Sequence, residues 1–138
     1  YVGLICPWAS RTLMARKIKG LEALIPVTVV NPVLTDEGWA FGGSPGADSD
    51  PLHNATHMHQ LYTRADGNFT GRATVPVLWD TVTDTIVSNE SADIVRMFDT
   101  AFEGLVSGRP SLYPADLAAG IDALNAETFL VGGNTTTS

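Results

Sequence analysis

The sequence predicts an α/β fold, and three patterns carry that prediction. An apolar run, a helical stripe and a β-branched run follow one another within the first 30 residues. Two short β-branched runs then flank Asp80 to Asp84, and an apolar i, i+4 stripe comes after them. At 138 residues, 44% hydrophobic and 17% charged, the chain has the size of about one domain and enough apolar content to fill a core.

Tyr1 to Ile5 is short, apolar and bounded by Cys6-Pro7, the pattern of a buried strand. Pro7 suits the first turn of a helix, where its missing N–H costs nothing. Leu13, Met14, Ile18 and Leu21 recur at helical spacing, and Gly20 marks the stop. Pro26 to Val30 is β-branched and reads as a second strand, parallel to the first in a right-handed βαβ unit. Residues 33–56, rich in Gly, Pro, Ser and Asp, form a long loop, and loops of that length are usually functional. His57 to Arg64 predicts a short helix. Val75 to Trp79 and Thr85 to Val87 predict an antiparallel hairpin. Ile94, Phe98 and Phe102, flanked by Val95 and Ala101, predict a third helix capped by Ser88 or Asn89. The order βαβ-α-ββα is that of the thioredoxin fold. Residues 1–103 therefore read as one domain and 104–113 as a linker. Residues 114–138 begin a second, helical unit with Leu117, Ile121, Leu124 and Thr128 on one face and a fraying tail from Gly132.

Eight basic against 15 acidic residues give a net charge of −7, which argues against nucleic acid or an anionic membrane as partner. No apolar run approaches the roughly 20 residues of a membrane span, and no secretory signal is expected at the start of the chain. The charge is uneven. Residues 1–20 contain Arg11, Arg16, Lys17 and Lys19 and no acid, a positive setting for the one cysteine.

Cys6 stands where the first strand meets the first helix, and unpaired N–H groups and the dipole at a helix start favour a thiolate. Ala9 occupies the place of the second cysteine in a two-thiol redox motif, so any disulfide of Cys6 must be resolved by an outside thiol, glutathione being the obvious one. The alternative is a small buried hydrophobe that happens to be Cys. Val75-Pro76 precedes a core strand facing the first helix, the place where thioredoxin-like folds hold a cis peptide and offer the backbone of the preceding residue to an extended thiol peptide. An ordinary trans proline is the other reading. Glu90-Ser91, at the start of the third helix, could accept an ammonium and donate to a carboxylate, as a γ-glutamyl head requires, or could be a plain helix cap. Trp39 in the long loop could close over a ligand or cover an apolar patch. His53, His57 and His59 have spacings compatible with a metal, but no carboxylate partner can be assigned from sequence, and no metal is expected. Four Asn-X-Ser/Thr matches matter only in a secreted chain, whereas a solitary working thiol points to a reducing, cytoplasmic setting.

Together Cys6-Pro7-Trp8-Ala9, Lys19-Gly20-Leu21-Glu22, Gly38-Trp39-Ala40-Phe41, Gly71 to Asp80 and Ile86 to Ser91 resemble the glutathionyl-hydroquinone reductases, the Xi class of glutathione transferases. The resemblance runs to about residue 127 and includes Leu112-Tyr113-Pro114 and Ile121 to Asn125. It implies Cys6 as nucleophile and Trp39, Val75, Pro76, Glu90 and Ser91 as glutathione-binding residues. It also implies glutathione as co-substrate, a glutathionyl-hydroquinone as substrate, and a homodimer for the full-length family member. Omega-like thioltransfer or dehydroascorbate reduction, or glutathione binding without turnover, are the alternatives. Ser10 stands where many relatives have His. Family members continue into a long all-helical domain that supplies the hydroquinone pocket, so this chain is expected to hold the glutathione half of the site and the first helix of that domain.

Overall fold

A computed structural model of the chain describes residues 1–105, 108–112, 114 and 116–124. Its named elements are α1 (Pro7–Ile18), α2 (Met58–Ala65), β1 (Leu78–Asp80), β2 (Thr85–Ser88) and α3 (Ser91–Thr100). The two predicted N-terminal strands meet as a single parallel bridge, Val2 with Val29. Val2 N–H donates to Thr28 O and Val30 N–H to Val2 O, each at 2.9 Å. Antiparallel bonds between Tyr1 and Val77 join this pair to the hairpin. In the hairpin, Trp79 faces Ile86 and Asp80 faces Thr85, with an irregularity between Leu78 and Trp79. The order of segments across the sheet is thus the thioredoxin-like one.

The first strand is shorter than its apolar run predicts. Leu4 and Ile5 lie in a turn and are 62% and 61% exposed, because the chain must bend there to enter α1. The Cys6 N–H donates to Gly3 O in that bend. Pro7 opens α1 as expected, but the buried face is Ala9, Thr12 and Ala15 rather than the Leu13, Met14, Ile18 stripe. Small side chains let the helix approach the sheet and α3 closely, and Leu21 is buried only after the helix has ended. Met14 and Ile18 instead face a groove of about 320 Å³ shared with Val95, Leu112 and Ile121. Gly20, just past the helix, has φ +69°, and a Cβ there would stand 2.8 Å from the Arg109 guanidinium. Gly20→Ala is expected to lower stability by about 1–2 kcal/mol, chiefly the cost of a left-handed backbone for an L-residue. Chemical denaturation measures it.

Met58, Leu61 and Tyr62 of α2 pack with Val30, Trp39, Val75 and Val77 into one core cluster. Ile94 and Phe98 of α3 form a second with Ala15 and Leu21. Glu90, not Ser88 or Asn89, is the N-cap of α3, because Ser88 Oγ turns to accept from the Glu90 N–H. Phe102 lies beyond the end of α3 and still packs on its cluster. The long loop is hydrogen-bonded rather than open: Thr35 bridges Gly38 and Ala40 bridges His57. Buried Asp50 gathers the N–H groups of Leu52, His53 and Ala55 and the Tyr1 hydroxyl. Burial opposes its charge, but these donors prevail and hold the carboxyl below its usual range, while burial and Asp50 push the Tyr1 phenol up. The helix expected from Pro114 is seen at residues 118–124, with Leu117 and Leu124 exposed. Thr128 and the expected tail from Gly132 to Ser138 lie outside the described residues.

Candidate active site

Cys6 is the N-cap residue of α1, with extended backbone (φ −87°, ψ 116°), and is half-buried. The Cys6 carbonyl accepts the first helical bond, from Ser10 N–H at 3.1 Å. Pro7 has no N–H, and the N–H groups of Trp8 and Ala9 have no acceptor within the helix, so their positive ends face the thiol side of the helix start. The Val75–Pro76 bond is cis. Cys6 Sγ donates to Val75 O at 3.6 Å, which puts the thiol directly beside the segment that precedes β1. The Val75 N–H has no hydrogen-bond partner among the described residues. A single extended residue could pair with that backbone while its own sulfur lies against Cys6.

Ser91 and Glu90 stand at the start of α3, and a side chain from α1 ties them to the Cys6 helix. Arg11 Nε donates to Ser91 Oγ at 2.9 Å, and its guanidinium lies 4.9 Å over the Trp8 ring. Ser91 is buried and, as an acceptor from Arg11, keeps its own O–H to donate. Glu90 is exposed beside it. Burial draws the Arg11 pKa down while the Glu90 carboxylate opposes that shift, which places the two charges near one another. Arg11 is a residue that sequence reasoning missed as part of the site. Its place in the acid-free basic segment beside Cys6 was the available signal.

Trp39 does not stand open over the site. It is 7% exposed and belongs to the core cluster that contains Val75, against which Cys6 also packs. A Cβ on Gly3 would sit 3.3 Å from a Val75 methyl and 3.5 Å from the Trp39 ring. The indole is therefore part of the floor under the Cys6–Val75 region. Cys6 lines neither of two cavities of about 460 and 320 Å³, the first of which includes Pro76, Phe98 and Phe102.

The local cation cluster is mostly committed elsewhere. Lys19 Nζ is buried against Asp99 at 3.0 Å, and Arg16 donates to Ile25 O and Glu22 O. Lys17 is exposed in the last turn of α1, at the end away from Cys6, and Arg11 donates to Ser91, so the positive setting expected for Cys6 reduces to the helix start. Among the three histidines, His53 is held by Asp84 at 2.6 Å and lies edge-on to Trp79, a structural position. His57 and His59 lie apart from it, beside Glu37.

Comparison with known proteins places these features in context. Residues 5–101 match the family described as glutathione S-transferase, N-terminal domain. The chain is 54% identical over 126 residues to glutathionyl-hydroquinone reductase YqjG of Escherichia coli K12, a match covering 91% of this chain and 38% of that protein. The glutathione-bound structure of YqjG superposes with a TM-score of 0.89 over 94% of this chain and 42% of that one, at 52% identity. The Xi glutathione S-transferase from Phanerochaete chrysosporium gives 0.90 at 50% identity, covering 94% of this chain and 45% of that one. The chain thus spans less than half the length of these relatives.

Proposed function

We propose that this chain, which belongs to the glutathione S-transferase family and to its Xi class, carries the glutathione half of a glutathionyl-hydroquinone reductase, with Cys6 as nucleophile. The observation that carries the reading is the pairing of Cys6 Sγ with the Val75 carbonyl, 3.6 Å away, beside a Val75 N–H that has no partner among the described residues. Bound glutathione would pair its cysteinyl backbone with Val75 next to Pro76, and lay its γ-glutamyl carboxylate on Ser91 and its ammonium on Glu90. Trp39 would keep the Val75 segment in place from beneath.

In the first step the Cys6 thiolate attacks the glutathionyl sulfur of a glutathionyl-hydroquinone. A sulfur–sulfur bond forms, the sulfur–carbon bond breaks, and the electron pair passes to the ring carbon, which takes a proton and leaves as the free hydroquinone. In the second step the thiolate of another glutathione attacks the glutathione sulfur of the mixed disulfide. Glutathione disulfide leaves and Cys6 is returned as thiolate. The absence of a cysteine at position 9 is what makes the second glutathione necessary.

The test is turnover of a glutathionyl-hydroquinone with excess glutathione, read as free hydroquinone and glutathione disulfide in equal amounts. Reduction of dehydroascorbate or of a protein mixed disulfide, without hydroquinone release, would favour the Omega-like reading instead. Ser91→Ala, made in the Cys6→Ser background so that binding stays non-covalent, is expected to weaken glutathione binding about 10-fold to 100-fold, the worth of one hydrogen bond to a charged group. Isothermal titration measures it, and an unchanged affinity would remove Ser91 from the site.

The division into a thioredoxin-like domain through residue 103, a linker over 104–113 and a helical unit from 114 belongs to the same proposal, and helical residues 118–124 support it. So do a homodimer for the full-length family member and a cytoplasmic setting, the latter because a solitary working thiol fits a reducing compartment. No helix among the described residues is long and apolar enough to cross a membrane.

A further inference from the structure

From the convergence of Glu37, His57 and His59 we infer that the chain has a divalent transition-metal site, suited to Zn²⁺, on the face where the long loop meets α2. The three ligand atoms lie within 4.8 Å of one another. His57 Nε2 is 3.6 Å from one Glu37 oxygen and His59 Nε2 is 3.6 Å from the other. Those separations exceed a hydrogen bond and fall close to the roughly 3.3–3.5 Å between donors that share a tetrahedral zinc at about 2.0–2.2 Å. Two imidazoles and a carboxylate are borderline donors that suit zinc better than calcium or magnesium.

The backbone brings these residues together. Thr35 and Gly38 close a tight turn with bonds of 3.1 and 2.9 Å, and Gly38 has φ +88°. The Glu37 N–H is held by Thr35 Oγ1, so the carboxylate is presented at the tip of the turn. Trp39 O accepts from Met58 N–H and Phe41 N–H donates to Thr56 O, which staples that turn beside the start of α2. His57 is the N-cap of α2 and His59 lies in its first turn, their rings stacked at 5.4 Å and 20°. Thr56 Oγ1 lies 3.0 Å from His57 Nδ1. With Nε2 on a metal, Nδ1 carries the proton and donates to that hydroxyl, the outer contact that metal-binding imidazoles usually have. The side chains are 18%, 40% and 65% exposed for His57, His59 and Glu37, so a fourth position is open to water. The positive end of α2 opposes a cation here, but by much less than three ligand bonds supply.

His53, which the sequence grouped with these two, is excluded by its bond to Asp84. Glu37 supplies the carboxylate that spacing alone did not assign. The site shares no residue with Cys6, Val75, Glu90 or Ser91, so its test stands apart from glutathione binding.

Isothermal titration of the chelator-treated chain with ZnCl₂ is expected to show one Zn²⁺ per chain, and the same in Cys6→Ser. Glu37→Gln, at an exposed position that the fold tolerates, is expected to lose about 10-fold in affinity, and Thr56→Val a similar amount. The double variant His57→Ala/His59→Ala is expected to lose at least 100-fold, with circular dichroism unchanged. Zinc binding that disappears in Cys6→Ser would assign the metal to the thiol and overturn the inference. So would affinity that is unaltered in both Glu37→Gln and the double histidine variant, or no binding of ZnCl₂ by the parent chain.

Discussion

Incubated with glutathione disulfide, the chain is expected to gain the mass of one glutathione, and Cys6→Ser to gain nothing. The Cys6 thiolate displaces one glutathione thiolate, the second half stays on the protein as a mixed disulfide, and a reductant restores the starting mass. The chain has one cysteine, so no other thiol can take the adduct. Turnover of a glutathionyl-hydroquinone is expected to fall at least about 1,000-fold in Cys6→Ser, because removal of a nucleophile leaves only binding and orientation. The prediction rests on local geometry. Cys6 is half-buried at a helix start, at the edge of the core cluster it packs against, and its sulfur lies 3.6 Å from the Val75 carbonyl. A cysteine serving only as a core hydrophobe would resist the disulfide, and an unmodified mass would support that bland reading.

The largest loss of stability is expected from Asp99→Ala. Asp99 is 2% exposed and accepts from Lys19 Nζ at 3.0 Å, Leu112 N–H at 2.8 Å and Ser111 Oγ at 3.4 Å. Lys19, 6% exposed, also donates to Pro110 O. Removing the carboxylate leaves a buried ammonium without its counter-charge and the Leu112 N–H without an acceptor. Breaking one side of such a pair costs about 3–5 kcal/mol. Denaturant unfolding measures this. The double variant Lys19→Met/Asp99→Leu is expected to recover much of the loss, since an apolar pair of similar volume carries no desolvation penalty. Burial works against the Asp99 charge, but the Leu112 N–H, the Lys19 ammonium and the Ser111 hydroxyl together hold its pKa below the ordinary value. A carboxyl depressed in the folded state adds stability above its unfolded pKa of about 3.9, and that stability is lost as pH falls towards the folded value. Acid titration of the parent chain should therefore show a destabilising limb below roughly pH 4, and Asp99→Ala should show a smaller one.

The two predictions differ in how far the sequence anticipates them. Cys6 is legible because its meaning is local: a strand end, Pro7 at the helix start and Ala9 in place of a second thiol lie within a few residues. The hairpin and the helix after it are legible for the same reason, since hydrophobic period and turn residues act over short spans. The Lys19–Asp99 pair joins positions 80 residues apart, and nothing in either neighbourhood distinguishes them from solvated charges. Likewise the periodicity of α1 selects Leu13, Met14 and Ile18, but close approach to the sheet and α3 favours the small Ala9, Thr12 and Ala15. From its loop position Trp39 reads either as closing over a ligand or as covering an apolar patch, and two backbone bonds on either side draw it into the core. Glu37 comes near His57 and His59 only through a tight turn about 20 residues earlier in the chain, which spacing cannot reveal.

The tripeptide is expected to lie along the Val75 segment, and a crystal structure of the chain after treatment with glutathione disulfide tests that most directly. The expected result is continuous density from Cys6 Sγ to a glutathione whose cysteinyl backbone pairs with Val75 and whose γ-glutamyl group rests on Ser91 and Glu90. Glutathione bound away from Val75, or a Cys6 that stays free while the ligand occupies another surface, would contradict it.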